Sequence, residues 1–289
     1  MSARSVCAVI IAYHPTPAMV DNLSVTFAQV DAMVVIDNGS NYDSLDRLRA
    51  ASRNIGFQLI ENGENLGVAE ALNRGVLWAM SKGYPWVILF DQDSKITEKF
   101  VERMFHTFEE ASFPQTAALI APTCVEAGTG IRGRLMKSRR GEILTAMTSG
   151  SLIPTRVFDH SGLFEADLFI DYVDIEFCLR LRRQGMSILE SPAELRHSLG
   201  RTSCYRLLGL QFSATNHSPA RRYYITRNRL VLMARYIGDF LWIWRESKAF
   251  LSEFVKILLV EDDKASKLRA VAAGIYDAVR GRLGKRIFL

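Results

Sequence analysis

Trp86-Val87-Ile88-Leu89-Phe90 is short, apolar on both faces and preceded by Gly83 and Pro85, a pattern that suits a buried strand better than a helix. It runs directly into Asp91-Gln92-Asp93. A buried strand delivers its last residues to the rim of a sheet, and in open α/β sheets that carboxyl edge is where ligands bind. Two carboxylates one residue apart repel each other unless a proton or a cation relieves them, and a hard divalent ion such as Mg²⁺ or Mn²⁺ takes oxygen ligands of this kind. The same residues also allow a plainer role for Asp93, as the cap of a helix beginning near Ser94 to Thr97.

Two earlier runs repeat the pattern. Val6 to Tyr13 is almost continuously apolar and ends at His14-Pro15, while Met33 to Ile36 stops at Asp37-Asn38-Gly39-Ser40. Asn38-Gly39 taken alone is an ordinary turn dipeptide. Gln58 to Glu61 is a third short strand, after which Asn65 opens a helix with Val68, Ala71, Leu72, Gly75, Val76 and Ala79 on one face and Gly83 at its close. The alternation predicts an α/β fold with a mostly parallel central sheet flanked by helices. Glu98 to Phe108 continues it as a helix, and Ala117 to Ala121 and Ile143 to Ala146 as strands. Gly128-Thr129-Gly130-Ile131-Arg132-Gly133 matches Gly-x-Gly-x-x-Gly literally. No apolar helical face follows it, only the basic run Arg134 to Gly141, so it reads as a loop and not as a dinucleotide site.

At 289 residues with 48% hydrophobic side chains, the chain can bury a large core. Its four cysteines show no metal-type spacing, which suits buried thiols in a reducing compartment. Met1-Ser2-Ala3-Arg4-Ser5 leads straight into a strand without a signal-peptide pattern, so the expected location is cytoplasmic. The net charge of +5 is uneven: Arg196 to Arg245 holds nine arginines, no lysine and one acid, Asp239. Arginine favours bidentate contact with phosphates, although a solvated helix face or an anionic membrane uses the same charge. No nucleic-acid recognition module accompanies the stretch, so no nucleic-acid partner is expected.

The ordered set Ala12-Tyr13-His14-Pro15, Val35 to Ser40, Asn62 to Gly75 and Phe90-Asp91-Gln92-Asp93-Ser94 resembles the nucleotide-binding half of family 2 glycosyltransferases of the GT-A fold. It looks most like the bacterial dTDP-rhamnosyltransferases of O-antigen and polysaccharide assembly, and the similarity spans roughly residues 5 to 235. The resemblance implies that Ala12, Tyr13, His14 and Asp37 hold the base and ribose of the donor. It places Asn65, Gln92 and Arg227 among the further donor contacts and Asp91 near the sugar or ribose. Asp93 is then the direct ligand of Mg²⁺ or Mn²⁺, with Asp91 as a further ligand and His197 as a further metal ligand or a phosphate contact. From the residues alone, a lone histidine such as His197 is more often structural.

Phe169 to Arg180 forms a second constellation, opening a helix that turns Ile175, Cys178 and Leu179 inward and ends at Gly185. Asp174 and Glu176 then fall in its first turn, where acids are often simple dipole partners. In the family pattern, Glu-Asp-x-Asp before Cys-Leu-Arg, Val173 stands where the first Glu does and Glu176 replaces the last Asp. Asp174 aligns with the catalytic base, and Asp171 and Glu176 with accessory acids. The resemblance implies a metal-dependent inverting enzyme moving L-rhamnose from dTDP-L-rhamnose to a saccharide acceptor linked to polyprenyl diphosphate. A donor such as a UDP-hexose or UDP-galactofuranose, or a non-catalytic nucleotide- or membrane-binding relative, remains open.

Residues 1–228 are expected to form the catalytic domain and 229–289 a helical extension. Leu230 to Trp244 is apolar but interrupted by Arg235 and Asp239, too short and too charged to span a membrane. With Trp242, Trp244 and Phe250 to Val260 it suits helices lying on the inner face of the cytoplasmic membrane, or packed on protein or in a homodimer. A Gln-x-x-Arg-Trp motif is absent; in relatives it accompanies processive polymerisation, so one sugar per encounter is expected.

Overall fold

The apolar runs become the centre of a sheet because none of them has a polar face to show to water. In the computed structural model, which describes residues 2–126, 128, 130–197, 203–207, 210–214 and 216–286 (His197 and the two segments after it by backbone alone), every residue of β1 (Val6–Ala12) is buried. The chain continues through α1 (Pro17–Phe27), β2 (Ala32–Asp37), α2 (Tyr42–Ile55), β3 (Gln58–Glu61), α3 (Val68–Ser81) and β4 (Trp86–Asp91). β1 pairs in parallel with β2 on one side and β4 on the other, and β3 pairs in parallel with β2.

After β4 come β5 (Lys95–Ile96), α4 (Phe100–Glu109), β6 (Ala117–Glu126), β7 (Met136–Lys137), β8 (Ile143–Thr145), β9 (Leu152–Pro154), α5 (Arg156–Ser161), α6 (Val173–Arg183) and β10 (Ser187–His197). The central sheet has eight strands in the order β3-β2-β1-β4-β9-β6-β10-β5. It is mostly parallel, with β9 antiparallel to β4 and β6, and β5 antiparallel to β10. α4 covers one face, where Trp86 meets Phe105 and Phe108 edge-on at 5.2 and 4.8 Å. On α3, a Cβ at Gly75 would lie 2.2 Å from Cγ1 of Val9, so glycine lets the helix rest directly on β1.

Several boundaries differ from expectation for local reasons. α3 begins at Val68 behind Gly67, leaving Asn65 in the preceding loop. Asp93 does not cap a helix: β5 follows it, and α4 starts only at Phe100, with Lys99 at its N-cap in the left-handed region. In α6 it is Phe177, with Cys178 and Leu179, that is buried, while Ile175 is half-buried. The glycine-rich stretch leads into the short strand β7 and not into a helix.

The chain packs as two compact units, residues 1–166 with 174–198, and 167–173 with 199–289. The second contains the antiparallel pair β11 (Ser203–Leu207) and β12 (Leu210–Ala214), followed by α7 (Pro219–Arg235), α8 (Phe240–Leu259) and α9 (Lys264–Val279). α7 runs unbroken through positions 228 and 229. Its charges are largely internal: Arg222 pairs with Glu253 at 3.1 Å and with Glu261, Arg229 with Glu246 at 3.0 Å and Glu253 at 2.7 Å, and Lys267 with Glu261 at 3.0 Å. The arginine-rich stretch is therefore not simply a surface for phosphate or lipid. No described helix is long and apolar enough to cross a membrane.

Burial pushes the thiols of Cys7 and Cys178 up to about 12. Because these values are raised above that of an unfolded thiol, about 8.5, the associated stability is complete below that pH and declines as pH rises through it. Mass spectrometry after iodoacetamide at pH 8 should find both residues unmodified in the native protein and alkylated in urea.

Candidate active site

Parallel register brings three strand ends level: Ala12 pairs with Asp37, and Ile11 with Asp91. Asp37 is 1% exposed. Its Oδ2 accepts from the backbone N–H groups of Gly39 and Ser40, both at 3.2 Å. Its Oδ1 is buried and has no hydrogen-bond partner among the described residues. A buried acceptor in that state is costly, and a ligand N–H would satisfy it.

The loop after Asp37 is held by Asn38, which the sequence marks only as a turn residue. Its side-chain amide donates to Asn65 Oδ1 at 3.1 Å and Gly67 O at 3.2 Å, and its oxygen accepts from Asn62 Nδ2 at 3.0 Å and Leu66 N at 3.1 Å. Asn65 Oδ1 also accepts from Gly67 N at 2.9 Å, so Asn65 shapes the entry to α3. Gly39 has φ +86°, and a Cβ there would sit 2.5 Å from the carbonyl carbon of Glu64; only glycine allows the two loops to approach this closely.

The end of β1 is tied into the same rim. Tyr13 N donates to Gln92 Oε1 at 2.8 Å, His14 N to Ser40 Oγ at 2.8 Å, and Asn41 N to His14 Nδ1 at 3.1 Å. The Tyr13 and His14 rings lie 4.2 Å apart, and Tyr13 is 43% exposed, leaving an aromatic surface at the edge that holds Asp37. Ala12, Tyr13, His14, Asp37, Asn65, Asp91 and Gln92 are thus gathered along one rim.

Asp91 and Asp93 sit on a tight turn in which Ser94 N donates to Asp91 O at 3.2 Å. Ser149, another residue the sequence left without a role, accepts from Asp91 N at 3.1 Å and pairs with Ser94 Oγ at 2.6 Å. Asp91 is half-buried and Asp93 exposed. The described residues contain no cluster of three or more His, Cys, Asp or Glu that could enclose a metal. Mg²⁺ is commonly held by one or two carboxylates completed by substrate phosphates and water, so the pair fits a divalent ion that arrives with a diphosphate. The His197 side chain lies outside the described residues.

Asp174 is half-buried in the first turn of α6, with Oδ1 accepting from Ile175 N at 2.8 Å. A carboxylate at a helix N-terminus is favoured in its charged form. The residues from Ala146 to Ser149 link this helix to the rim: Ala146 N donates to Cys178 Sγ at 3.4 Å, and Ser149 Oγ is the acceptor for Asp91 N. Glu176 is 2% exposed and pairs with Arg180 at 2.8 Å, an ion pair internal to α6 and not an accessory acid of the rim.

Within the second unit, Phe169, Asp171 and Tyr172 have φ of +66°, +62° and +67°, a conformation that non-glycine residues rarely adopt. Asn228 Nδ2 holds this stretch by donating to the carbonyls of Leu168, Ile170 and Asp171 at 3.0, 2.9 and 2.8 Å. Arg227 is fully buried, and its guanidinium donates to Asn228 Oδ1, Gly284 O, Asp167 O and Leu168 O. These four partners replace the donor contact expected of Arg227 with a structural role. Asp171 is likewise engaged, by Arg221 at 3.0 Å.

The sequence model of the family described as "Glycosyl transferase family 2" matches residues 7–165, the region containing β1, Asp37, Asp91 and Asp93. The chain belongs to glycosyltransferase family 2. It is 27% identical over 293 residues to the dTDP-rhamnosyl transferase RfbF of Shigella flexneri, covering 97% of each chain. It is 25% identical over 247 residues to the galactofuranosyltransferase GlfT1 of Mycobacterium tuberculosis H37Rv, covering 78% of this chain and 81% of that one. Among solved structures, S. aureus TarS 1-349 in complex with UDP-GlcNAc superposes with a TM-score of 0.63 at 13% identity, over 95% of this chain and 81% of that one. The mannosyltransferase PcManGT from Pyrobaculum calidifontis, in complex with GDP-Man and Mn²⁺, gives 0.58 at 14% identity, over 95% of this chain and 75% of that one. The protein is a glycosyltransferase of the GT-A fold, similar in sequence along nearly its whole length to a rhamnosyl transferase, and nucleotide-sugar binding follows from the family.

Replacing Asn38 by Ala removes four hydrogen bonds and leaves buried loop groups without partners, at about 1–3 kcal/mol for each group left unsatisfied. Urea unfolding of Asn38→Ala should show a loss of about 2–4 kcal/mol; an unchanged midpoint would contradict the role of Asn38 as the loop's anchor.

Proposed function

We propose that this glycosyltransferase moves L-rhamnose from dTDP-L-rhamnose to a saccharide acceptor carried on a polyprenyl diphosphate, with inversion at the anomeric carbon. The observation that carries the donor reading is Asp37 Oδ1, buried without a partner at the rim, where it suits the ring N–H of thymine. Uracil offers the same N–H, so the base contact serves dTDP and UDP alike. The choice of rhamnose is supported by similarity to RfbF along nearly the whole chain; similarity to GlfT1 supports UDP-galactofuranose as the alternative.

In this scheme Ala12, Tyr13 and His14 flank the base and ribose, and Gln92 braces Tyr13 through its backbone N–H. Asp93, with Asp91, would hold Mg²⁺ or Mn²⁺, whose charge would offset that building on the leaving diphosphate. His197, at the end of β10, is the proposed further ligand. Asp174 takes the proton from the acceptor hydroxyl, and the freed oxygen lone pair attacks the anomeric carbon as the bond to the diphosphate breaks. One carboxylate serves as base and none is needed as nucleophile, so the configuration inverts in a single displacement. Residues 1–228 carry this chemistry in the proposed division, with 229–289 as its extension.

A panel of nucleotide sugars tested for thermal stabilisation should single out dTDP-L-rhamnose in the presence of Mg²⁺ or Mn²⁺, with the shift abolished by EDTA; stabilisation by UDP-galactofuranose instead would reassign the donor. Asp93→Ala should lose the metal-dependent part of the shift. Asp174→Asn should retain the shift while release of dTDP from the donor falls by about 10²–10⁴-fold; undiminished release would remove Asp174 as the base.

A further inference from the structure

α8 sorts its side chains by charge. Its two acids, Glu246 and Glu253, pair with Arg229 and Arg222 on α7. The opposite side exposes Phe240, Trp244, Leu251, Val255, Leu258 and Leu259, with Phe240 at 77% and Trp244 at 62% exposure. Helical spacing places these residues on one continuous stripe. Lys248 lies on the same stripe with its ammonium 5.3 Å from the centre of the Trp244 ring, and Arg245 borders it, also exposed. The outward face is therefore apolar and cationic, and it carries no acid.

A face of that size on a helix that does not span a membrane requires an occupant. Charge decides between the two candidates. A second copy docked with the same α8 stripe face to face about a two-fold axis would set Lys248 and Arg245 against a stripe that carries no acid to answer them. Anionic lipid headgroups answer both cations, while aromatic and aliphatic side chains enter the headgroup boundary. We propose that α8 is a membrane-docking helix that lies flat on an anionic bilayer surface, inserting Phe240, Trp244 and Leu251. This deepens the reading of a lipid-linked acceptor and rests on it only for its purpose: a docked enzyme searches a surface for its acceptor.

The test is co-sedimentation of the full chain with vesicles of phosphatidylcholine alone or mixed with phosphatidylglycerol. Binding should be at least about tenfold stronger to the anionic vesicles and should weaken with salt. Two double variants, Trp244→Ser with Leu251→Ser and Arg245→Glu with Lys248→Glu, alter only outward side chains; each should lower anionic-vesicle binding by about tenfold or more while keeping the donor-induced thermal shift. Wild-type protein that ignores anionic vesicles, or variants that bind them as well as wild type, would overturn the assignment. So would sedimentation velocity showing a wild-type dimer that the serine variant dissolves without any change in vesicle binding. Vesicle binding that behaves as expected in a protein no dTDP-sugar stabilises would uphold α8 and refute the donor reading alone.

Discussion

The site depends on parallel pairing of β1 between β2 and β4. Parallel strands run in the same direction, so the residues that end each apolar run gather on one edge. Antiparallel pairing of β1 with its two neighbours would have sent Ala12, Tyr13 and His14 to the edge opposite Asp37 and Asp91. The three runs are buried on both faces, which ties their register to packing as well as to hydrogen bonds. The polar residues after each run then have one place to go.

What lies beyond the strand ends is built from backbone amides held by short polar side chains. Asn38 joins the loop after β2 to the entry of α3, and Ser149 joins the chain before β9 to the turn after β4. Among the described residues, Asp37 Oδ1 is the one buried side-chain polar atom of this rim without a partner, which gives it weight as a ligand contact. A rim made in this way is preorganised for a ligand, because little has to be reordered when the missing partner arrives.

The second unit uses charge differently. Arg222, Arg227 and Arg229 are buried along one helix with Glu246, Glu253, Glu261 and backbone carbonyls as partners. Buried ions are tolerated only when paired and hydrogen-bonded, so this network specifies one packing of α7 with α8 and α9. Turning the acids of α8 inward to meet it leaves the outer face of that helix cationic and largely apolar, without an acid.

Apolar runs and helical spacing were enough to determine the α/β class, the β1-to-β4 order and the strand-end positions of Asp37 and Asp91. These features follow from local hydrophobicity and turn chemistry. The matching motifs carried the family, because they recur in a fixed order along the chain. Tertiary structure alone decided the rest. The insertion of β9 between β4 and β6 depends on pairing between distant segments. The family resemblance made Arg227 a donor contact and Glu176 an accessory acid, because a sequence shows charge and not burial; packing encloses both and supplies their partners. Asn38 and Ser149 lacked any signal beyond turn propensity, since their roles lie in hydrogen bonds to residues 24 or more positions away. The sequence thus determined which groups reach the rim, and the fold decided which of them remain available there, because availability depends on partners that only three dimensions bring near.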